Sequence, residues 1–400
     1  MSNNGDFMVV KIKDNIYWIG VIDWEVREFH GYETLNGSTY SVYLIKGEKN
    51  ILIDATKGYL FNELMLNLTS VVDPKEIDYI VVNHGEMDHS GSLEKLVEYT
   101  GATVITNERC KEHLELQYNT KNWEFITVDN KEEMDIGNRR LKFIKIPMLH
   151  WPDNMVTYSI EDKVLFSNDA FGQHIASSER FDYQFKDLEM LFEETKEYFA
   201  NILLPYRMLV PRVVESLKNL EIEYICPSHG VIWKKYIKDI FGKYLEWSSD
   251  SYVNRAVIVY DTMYNSTKKM AYSIGNGLME SGVEVNIYNV SKTPMNKIMR
   301  DILDAKYVLI GSPTLNSNIY PPVAKFLAYM EGLKPAGNKI GVAFGSYGWM
   351  EMATGVIEKT FEKLGFKVIE DECLTCRFVP KDDHLSKCYE FGKKLGQIEL

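Results

Sequence analysis

The chain has 400 residues, 45% of them hydrophobic and 26% charged, and its 57 acidic against 45 basic side chains leave a net charge of -12. That length exceeds the ~250–300 residues at which a single core stops growing, so two domains are expected. The negative charge excludes a basic nucleic-acid face and repels anionic membrane. The start, Met1 to Lys11, is polar, and no apolar run approaches the roughly 20 residues that cross a bilayer, which points to the cytoplasm. Cys110, Cys226, Cys373, Cys376 and Cys388 are too scattered for a disulfide framework and read as reduced thiols.

In chain order, Ile51-Leu52-Ile53 and Tyr79-Ile80-Val81-Val82 read as strands that end in polar loops and are followed by helical stretches. The second strand runs through Asn83 into His84-Gly85-Glu86-Met87-Asp88-His89-Ser90-Gly91, four potential ligands within six positions. Gly85 and Gly91 permit unusual backbone angles, so this loop can fold its side chains toward one or two shared ions. Alternate spacing lets His84 and Glu86 face one metal while Asp88 and His89 face another. A lone histidine is more often a satisfied core residue, but three later segments repeat a polar residue at a strand end. Met148-Leu149-His150-Trp151-Pro152 follows the strand Phe143 to Ile146, Leu165-Phe166-Ser167-Asn168-Asp169 ends in an acid, and Tyr224-Ile225-Cys226-Pro227-Ser228-His229-Gly230 ends in a histidine. His113 and His384, in helical and charged surroundings, read as exposed.

Trp247-Ser248-Ser249-Asp250-Ser251-Tyr252 is polar and aperiodic and reads as a linker, dividing the chain into residues 1–250 and 251–400. Beyond it, apolar strands at Ala256 to Tyr260, Val283 to Tyr288, Tyr307 to Ile310, Ile340 to Phe344 and Lys367 to Ile369 alternate with amphipathic helices. Five such βα units predict a doubly wound parallel sheet. The first strand feeds Asp261-Thr262-Met263-Tyr264-Asn265-Ser266-Thr267-Lys268, a hydroxyl-rich loop opening a helix, which suits a phosphate. It lacks Gly-x-Gly-x-x-Gly, which argues against a dinucleotide. The third and fourth strands end in Gly311-Ser312-Pro313-Thr314-Leu315-Asn316-Ser317-Asn318 and Phe344-Gly345-Ser346-Tyr347-Gly348-Trp349, and the three loops converge at the switch point of such a sheet. They nominate Thr262, Met263, Asn265, Ser266, Thr267, Ser312, Pro313, Thr314, Leu315, Asn316, Asn318, Ser346, Tyr347, Gly348 and Trp349 for flavin mononucleotide (FMN), with Leu315, Tyr347 and Trp349 walling the ring. Ser-Pro-Thr and Gly-x-Tyr-Gly-Trp resemble the flavodoxins. Cys373-Leu-Thr-Cys376 has no second pair to complete a rubredoxin iron site and reads as incidental.

The order and spacing of the ligand loops resemble the metallo-β-lactamase fold, an αββα sandwich with metals at its strand ends, whose usual pattern is His-x-His-x-Asp-His. Here Glu86 replaces the second histidine, and the added carboxylate favours iron over zinc. With His150-Trp151-Pro152-Asp153, Asn168-Asp169-Ala170-Phe171-Gly172 and Pro227-Ser228-His229-Gly230, nearly the whole chain is similar to the flavodiiron proteins (A-type flavoproteins). That resemblance implies two non-haem irons, one on His84, Glu86, His150 and Asp169, the other on Asp88, His89, Asp169 and His229. It places His30, His174 and Tyr198 on the substrate side, and implies reduction of dioxygen to water, of nitric oxide to nitrous oxide, or both. It further implies a head-to-tail homodimer or dimer of dimers. Without a rubredoxin extension, electrons are expected from a separate donor, a rubredoxin-like carrier or reduced deazaflavin. Two rival readings stand beside it: a zinc hydrolase with a fused flavodoxin, and a noncatalytic electron carrier.

Overall fold

The computed structural model describes residues 8–399, so the polar start before Met8 lies outside the described residues. Backbone contacts divide the chain into two units. One runs to Tyr198 and resumes over Met208–Leu245, and the other comprises Phe199–Arg207 and Glu246–Leu400.

The first unit is the metallo-β-lactamase-like sandwich. One sheet carries seven strands in the order Val10–Lys13, Ile16–Trp18, Tyr43–Ile45, Asn50–Ile53, Ile77–Val81, Thr103–Thr106 and Phe125–Thr127. Its first four strands pair antiparallel and its last four parallel. The second sheet runs Glu133–Asp135, Arg140–Lys145, Met155–Ser159, Val164–Asn168 and Tyr224–Pro227, with only the last pair parallel. Alternation along the strands sorts the two cores. Ile51, Ile53 and Val81 pack with Phe143 and Phe166 from the other sheet. Leu52, Ile80 and Val82 face the opposite way, onto Leu64 and Leu68 of the helix Phe61–Thr69 and Leu93 and Leu96 of the helix Leu93–Thr100. Strand ends at Val81, Asn168 and Pro227 then release the three loops that carry Glu86, Asp169 and His229.

The second unit is flavodoxin-like. Its parallel sheet runs Glu284–Asn289, Val253–Tyr260, Ala305–Gly311, Ile340–Tyr347 and Lys367–Val368, so the first, third and fourth strands are neighbours. The fifth position is split, because Lys367–Val368 pairs with the start of Ile340–Tyr347 while Thr375–Arg377 pairs with its end. The sequence gives no sign of this extra strand, three residues being too few for a period. Cys373, Cys376 and Cys388 sit in the core of this unit as small apolar side chains.

Two expectations need correction. The linker begins later than its composition suggests: the helix Ile237–Ser248 runs through Trp247, because Ile240, Tyr244 and Trp247 recur at helical spacing and are all buried. His113 and His384 are half-buried rather than exposed. No pattern announces the Phe199–Arg207 excursion, a π-helical turn followed by a tight one. It is held in the second unit by Asn201, whose amide donates to the Asn296 carbonyl at 3.1 Å and accepts from the Tyr329 hydroxyl at 2.7 Å.

Candidate metal centre and flavin cavity

The seven nominated ligands come together in two groups, His84, Glu86, His150 and Asp169 in one and Asp88, His89 and His229 in the other. In the first, Glu86 Oε2 lies 3.2 Å from His84 Nε2 and 3.3 Å from His150 Nε2, and Asp169 Oδ2 lies 3.1 Å from His150 Nε2. In the second, Asp88 Oδ2 is 3.2 Å from both His89 Nε2 and His229 Nε2. Asp169 Oδ1 is 2.9 Å from His89 Nε2 and 3.6 Å from His229 Nε2. Asp169 therefore offers one oxygen to each group. Donor atoms bound to one ion at about 2.1 Å sit roughly 3–3.5 Å apart, so these separations fit two ions. Both carboxylate oxygens of Asp88 are buried without a hydrogen-bond partner among the described residues, as expected of a group built to meet a cation.

Surrounding groups fix the rings. Asp153 can only accept, so at 3.0 Å it takes the Nδ1 proton of His84 and leaves Nε2 for the centre. The Thr39 carbonyl does the same for His229 at 2.7 Å. The Ser228 hydroxyl donates to Asp169 Oδ1 at 2.9 Å. Asp54, buried between the loops, accepts from Asn83 N at 2.8 Å, Asn83 Nδ2 at 3.1 Å and Asn168 Nδ2 at 3.2 Å, tying together the residues that precede His84 and Asp169. Asp54, Asn168 and Phe171 hold positive φ of 60°, 51° and 69°, a conformation costly for side chains other than glycine and found where a site overrides local preference.

Burial opposes charge on these histidines, yet Asp153 and Glu86 push His84 up to about 10, and Asp169 and Glu86 do the same for His150. His89 rises to about 9 against its burial, through Asp88 and Asp169. Glu86 and Asp169 move far down despite desolvation, held by the histidines around them. The carboxylates thus demand positive charge, which protons supply in the metal-free chain and which two cations would supply in their place.

On the open side, a cavity of about 470 Å³ reaches Glu86 and Asp88 past Phe29, His30, Lys57, Tyr59 and Tyr118. His30, at φ 50°, places Nε2 2.5 Å from Glu86 Oε1, and that hydrogen bond raises its pKa. His174 is buried, its Nδ1 2.9 Å from the Ser38 hydroxyl and its Nε2 without a partner among the described residues, and burial drives its pKa well down. Tyr198 lies against it, ring centres 5.0 Å apart. Lys57 was not foreseen. Its ammonium sits 4.8 Å and 5.0 Å from the centres of the Phe29 and Tyr40 rings, and burial lowers its pKa.

In the second unit, a cavity of about 280 Å³ is lined by Met263, Ser266, Pro313, Thr314, Leu315, Asn316, Ser346, Tyr347, Gly348 and Trp349 among the nominated residues. Thr262, Asn265, Thr267, Ser312 and Asn318 are not on its wall. Thr267 instead bonds Ser346 Oγ at 3.0 Å, and the Ser312 hydroxyl accepts from Tyr320 N at 3.1 Å. Tyr264, Ser317, Met350 and Phe378 join the wall unforeseen. Phe378 arrives through the extra strand Thr375–Arg377, so only the fold could place it.

Residues 38–230 match the ODP family beta lactamase and residues 258–392 match flavodoxin. The chain is 40% identical to a nitric oxide reductase of Moorella thermoacetica, covering 97% of this chain and 98% of that protein. Among solved structures, a rubredoxin oxygen:oxidoreductase from Desulfovibrio gigas superposes with a TM-score of 0.94 at 36% identity, over 98% of both chains. A flavodiiron protein from Giardia intestinalis superposes at 0.95 with 34% identity, over 98% of this chain and 96% of that one.

Proposed function

Because the chain belongs to the flavodiiron protein family, we propose that it is an oxidoreductase that reduces dioxygen to water, nitric oxide to nitrous oxide, or both. His84, Glu86, His150 and Asp169 would hold one iron and Asp88, His89, Asp169 and His229 the other, and the cavity of the second unit would hold FMN. The single observation that carries this reading is Asp169, which turns one oxygen to each of two ligand groups. With Glu86 and Asp88 it brings three carboxylates to four imidazoles, a donor set harder than a zinc hydrolase needs. When bound, the iron pair supplies two electrons and Lewis acidity, and the flavin supplies two more.

The chain's own residues handle access and protons. Diatomic gas enters through the cavity past Phe29 and Tyr59, which admits a small molecule beside Glu86 and Asp88. His30 Nε2 carries a proton at the mouth of that path, where Glu86 holds it. His174 stays neutral, its Nε2 unpartnered among the described residues, with Tyr198 against its ring. Lys57, its ammonium half-desolvated over two rings, is a second proton source on the same wall.

Exposed Tyr264, Trp349 and Phe378 at the flavin cavity suit a head-to-tail homodimer or dimer of dimers, in which the flavin of one subunit meets the iron pair of another. A separate carrier, rubredoxin-like or a reduced deazaflavin, delivers electrons. No helix among the described residues is long and apolar enough to cross a membrane, and we place the protein in the cytoplasm.

Stopped-flow oxidation of the fully reduced, iron-loaded protein by dioxygen and by nitric oxide in parallel tests the reading and ranks the gases. Rapid reoxidation of iron and flavin together by at least one gas is expected. Two zincs per chain with hydrolysis and no redox turnover would establish a hydrolase instead, and uptake of flavin electrons alone would leave a carrier.

A further inference from the structure

Behind His84 the metal centre continues outward. Asp153 receives His84 Nδ1–H at 3.0 Å and Gly85 N–H at 2.7 Å, both on Oδ2. Its other oxygen, Oδ1, is buried without a hydrogen bond among the described residues, and 3.4 Å away stands His113 Nδ1, equally unpartnered among them. His113 belongs to the helix Glu108–Gln117, whose Cys110, His113 and Gln117 share one face by their spacing of three and four. That face closes on the ligand loop. A Cβ on Gly85 would lie 3.4 Å from Asp153 Oδ2, Cys110 Sγ and His113 Cβ alike, and Gln117 Nε2 donates to the Gly85 carbonyl at 3.1 Å. The His113 side chain is 22% exposed while Asp153 and His84 are fully buried, so the three form a line from the surface to the metal centre.

The other group has no such support. His229 donates from Nδ1 to a neutral carbonyl, and His89 Nδ1 is buried without a partner among the described residues. A carboxylate behind an imidazole raises its basicity and fixes its ring, effects worth about 10–100-fold in metal affinity. A carboxylate anchored through only one oxygen can still pivot. His113 Nδ1, 3.4 Å from the second oxygen, faces it as an imidazole whose charge or N–H would oppose that pivot.

We propose that His113 is a positioning residue that acts through Asp153 on His84, and that this line makes the His84-Glu86-His150 group the tighter of the two metal positions. The inference rests on the reading of these groups as a metal centre. Its test is titration of the metal-stripped full chain with Co(II) against a competing chelator. The native chain should bind two ions in two resolved steps, the weaker abolished by Asp88→Ala. His113→Phe should weaken the tighter step about tenfold and leave the other within about twofold. His113→Gln, whose amide N–H reaches Asp153, should retain both steps, and Asp153→Asn should weaken the tighter one further. The inference is overturned if His113→Phe moves both steps equally or neither, or if His113→Gln behaves like His113→Phe. A native chain that takes up no cobalt overturns the metal reading itself, and this inference with it.

Discussion

At the metal centre the side chains are hidden: His84, His89 and His229 are 1% exposed or less, and Asp169 only slightly more. At the flavin cavity Tyr264 and Trp349 are 87% and 83% exposed. Around the first site Asp153 and the Thr39 carbonyl fix individual rings, and the second is lined by the ends of three loops and by Phe378. Rigid, desolvated carboxylates suit a centre that must bind cations and exchange electrons without rearranging. An open rim suits a cofactor that must meet an outside donor. The difference teaches that the two sites fail differently: one by loss of a single atom's charge, the other by gradual loss of contact area.

Asp169→Asn should break the metal side most severely. The substitution removes the charge that both ligand groups share, so metal content should fall from two ions per chain to one or fewer and gas reduction by about a thousandfold. FMN content should stay unchanged, and its loss would show that the two sites are not separable. Glu86→His comes next. It restores an imidazole-rich pattern, so the iron-to-zinc ratio should drop about tenfold under equal supply and turnover about a hundredfold. An undiminished iron preference would mean that Glu86 does not set the metal.

Legibility follows the same divide. The seven ligands could be read because His, Asp and Glu at strand ends are rare and each acts through its own side chain. Asp54, Asp153 and Lys57 could not, since a lone acid or lysine after a strand says nothing until the fold brings Asn83, His84 or Phe29 beside it. At the flavin cavity the three nominated loops supply most of the lining. Yet Thr267 and Ser312 spend their hydroxyls inside the protein, and Phe378 follows a strand three residues long. A site made by backbone leaves only its turn residues in the sequence.

Trp349→Ala should sharpen the contrast from the flavin side. Loss of one aromatic wall costs about 0.5–1.5 kcal/mol, so FMN affinity should fall roughly three- to tenfold while both metals remain, as flavin fluorescence and metal analysis would report. A smaller effect is expected from pH on the metal-stripped chain. His84, His150 and His89 sit near 10, 10 and 9 against about 6.5 unfolded, so the folded state binds extra protons. Their stabilisation is complete below about pH 6.5 and is lost as pH rises through 9 to 10. The thermal midpoint should therefore fall by roughly 5–10 °C between pH 7 and pH 10 without metal, and much less with metal bound. Equal falls in the two forms would mean the histidines are not the titrating groups.

The smallest change is expected where the two regions differ least, in their buried thiols. Cys376 lies on the strand Thr375–Arg377, directly opposite Ser346 of the flavin cavity, and Cys373 and Cys388 pack nearby. Such a trio beside a flavin invites a redox role. For Cys376 burial argues otherwise, because desolvation raises its pKa and a thiol is a poor electron donor, while the lowered pKa of Cys388 comes from its hydrogen bond with Cys373. Cys376→Ala should cost about 1 kcal/mol of stability, the value of a small buried side chain, and leave the flavin potential and turnover unchanged. Reductive titration should still take up four electrons per chain, two at the flavin and two at the irons. A native chain that takes up six electrons, falling to four in the variant, would put the thiols into the electron path and make the flavin region, like the metal centre, a site of buried chemistry.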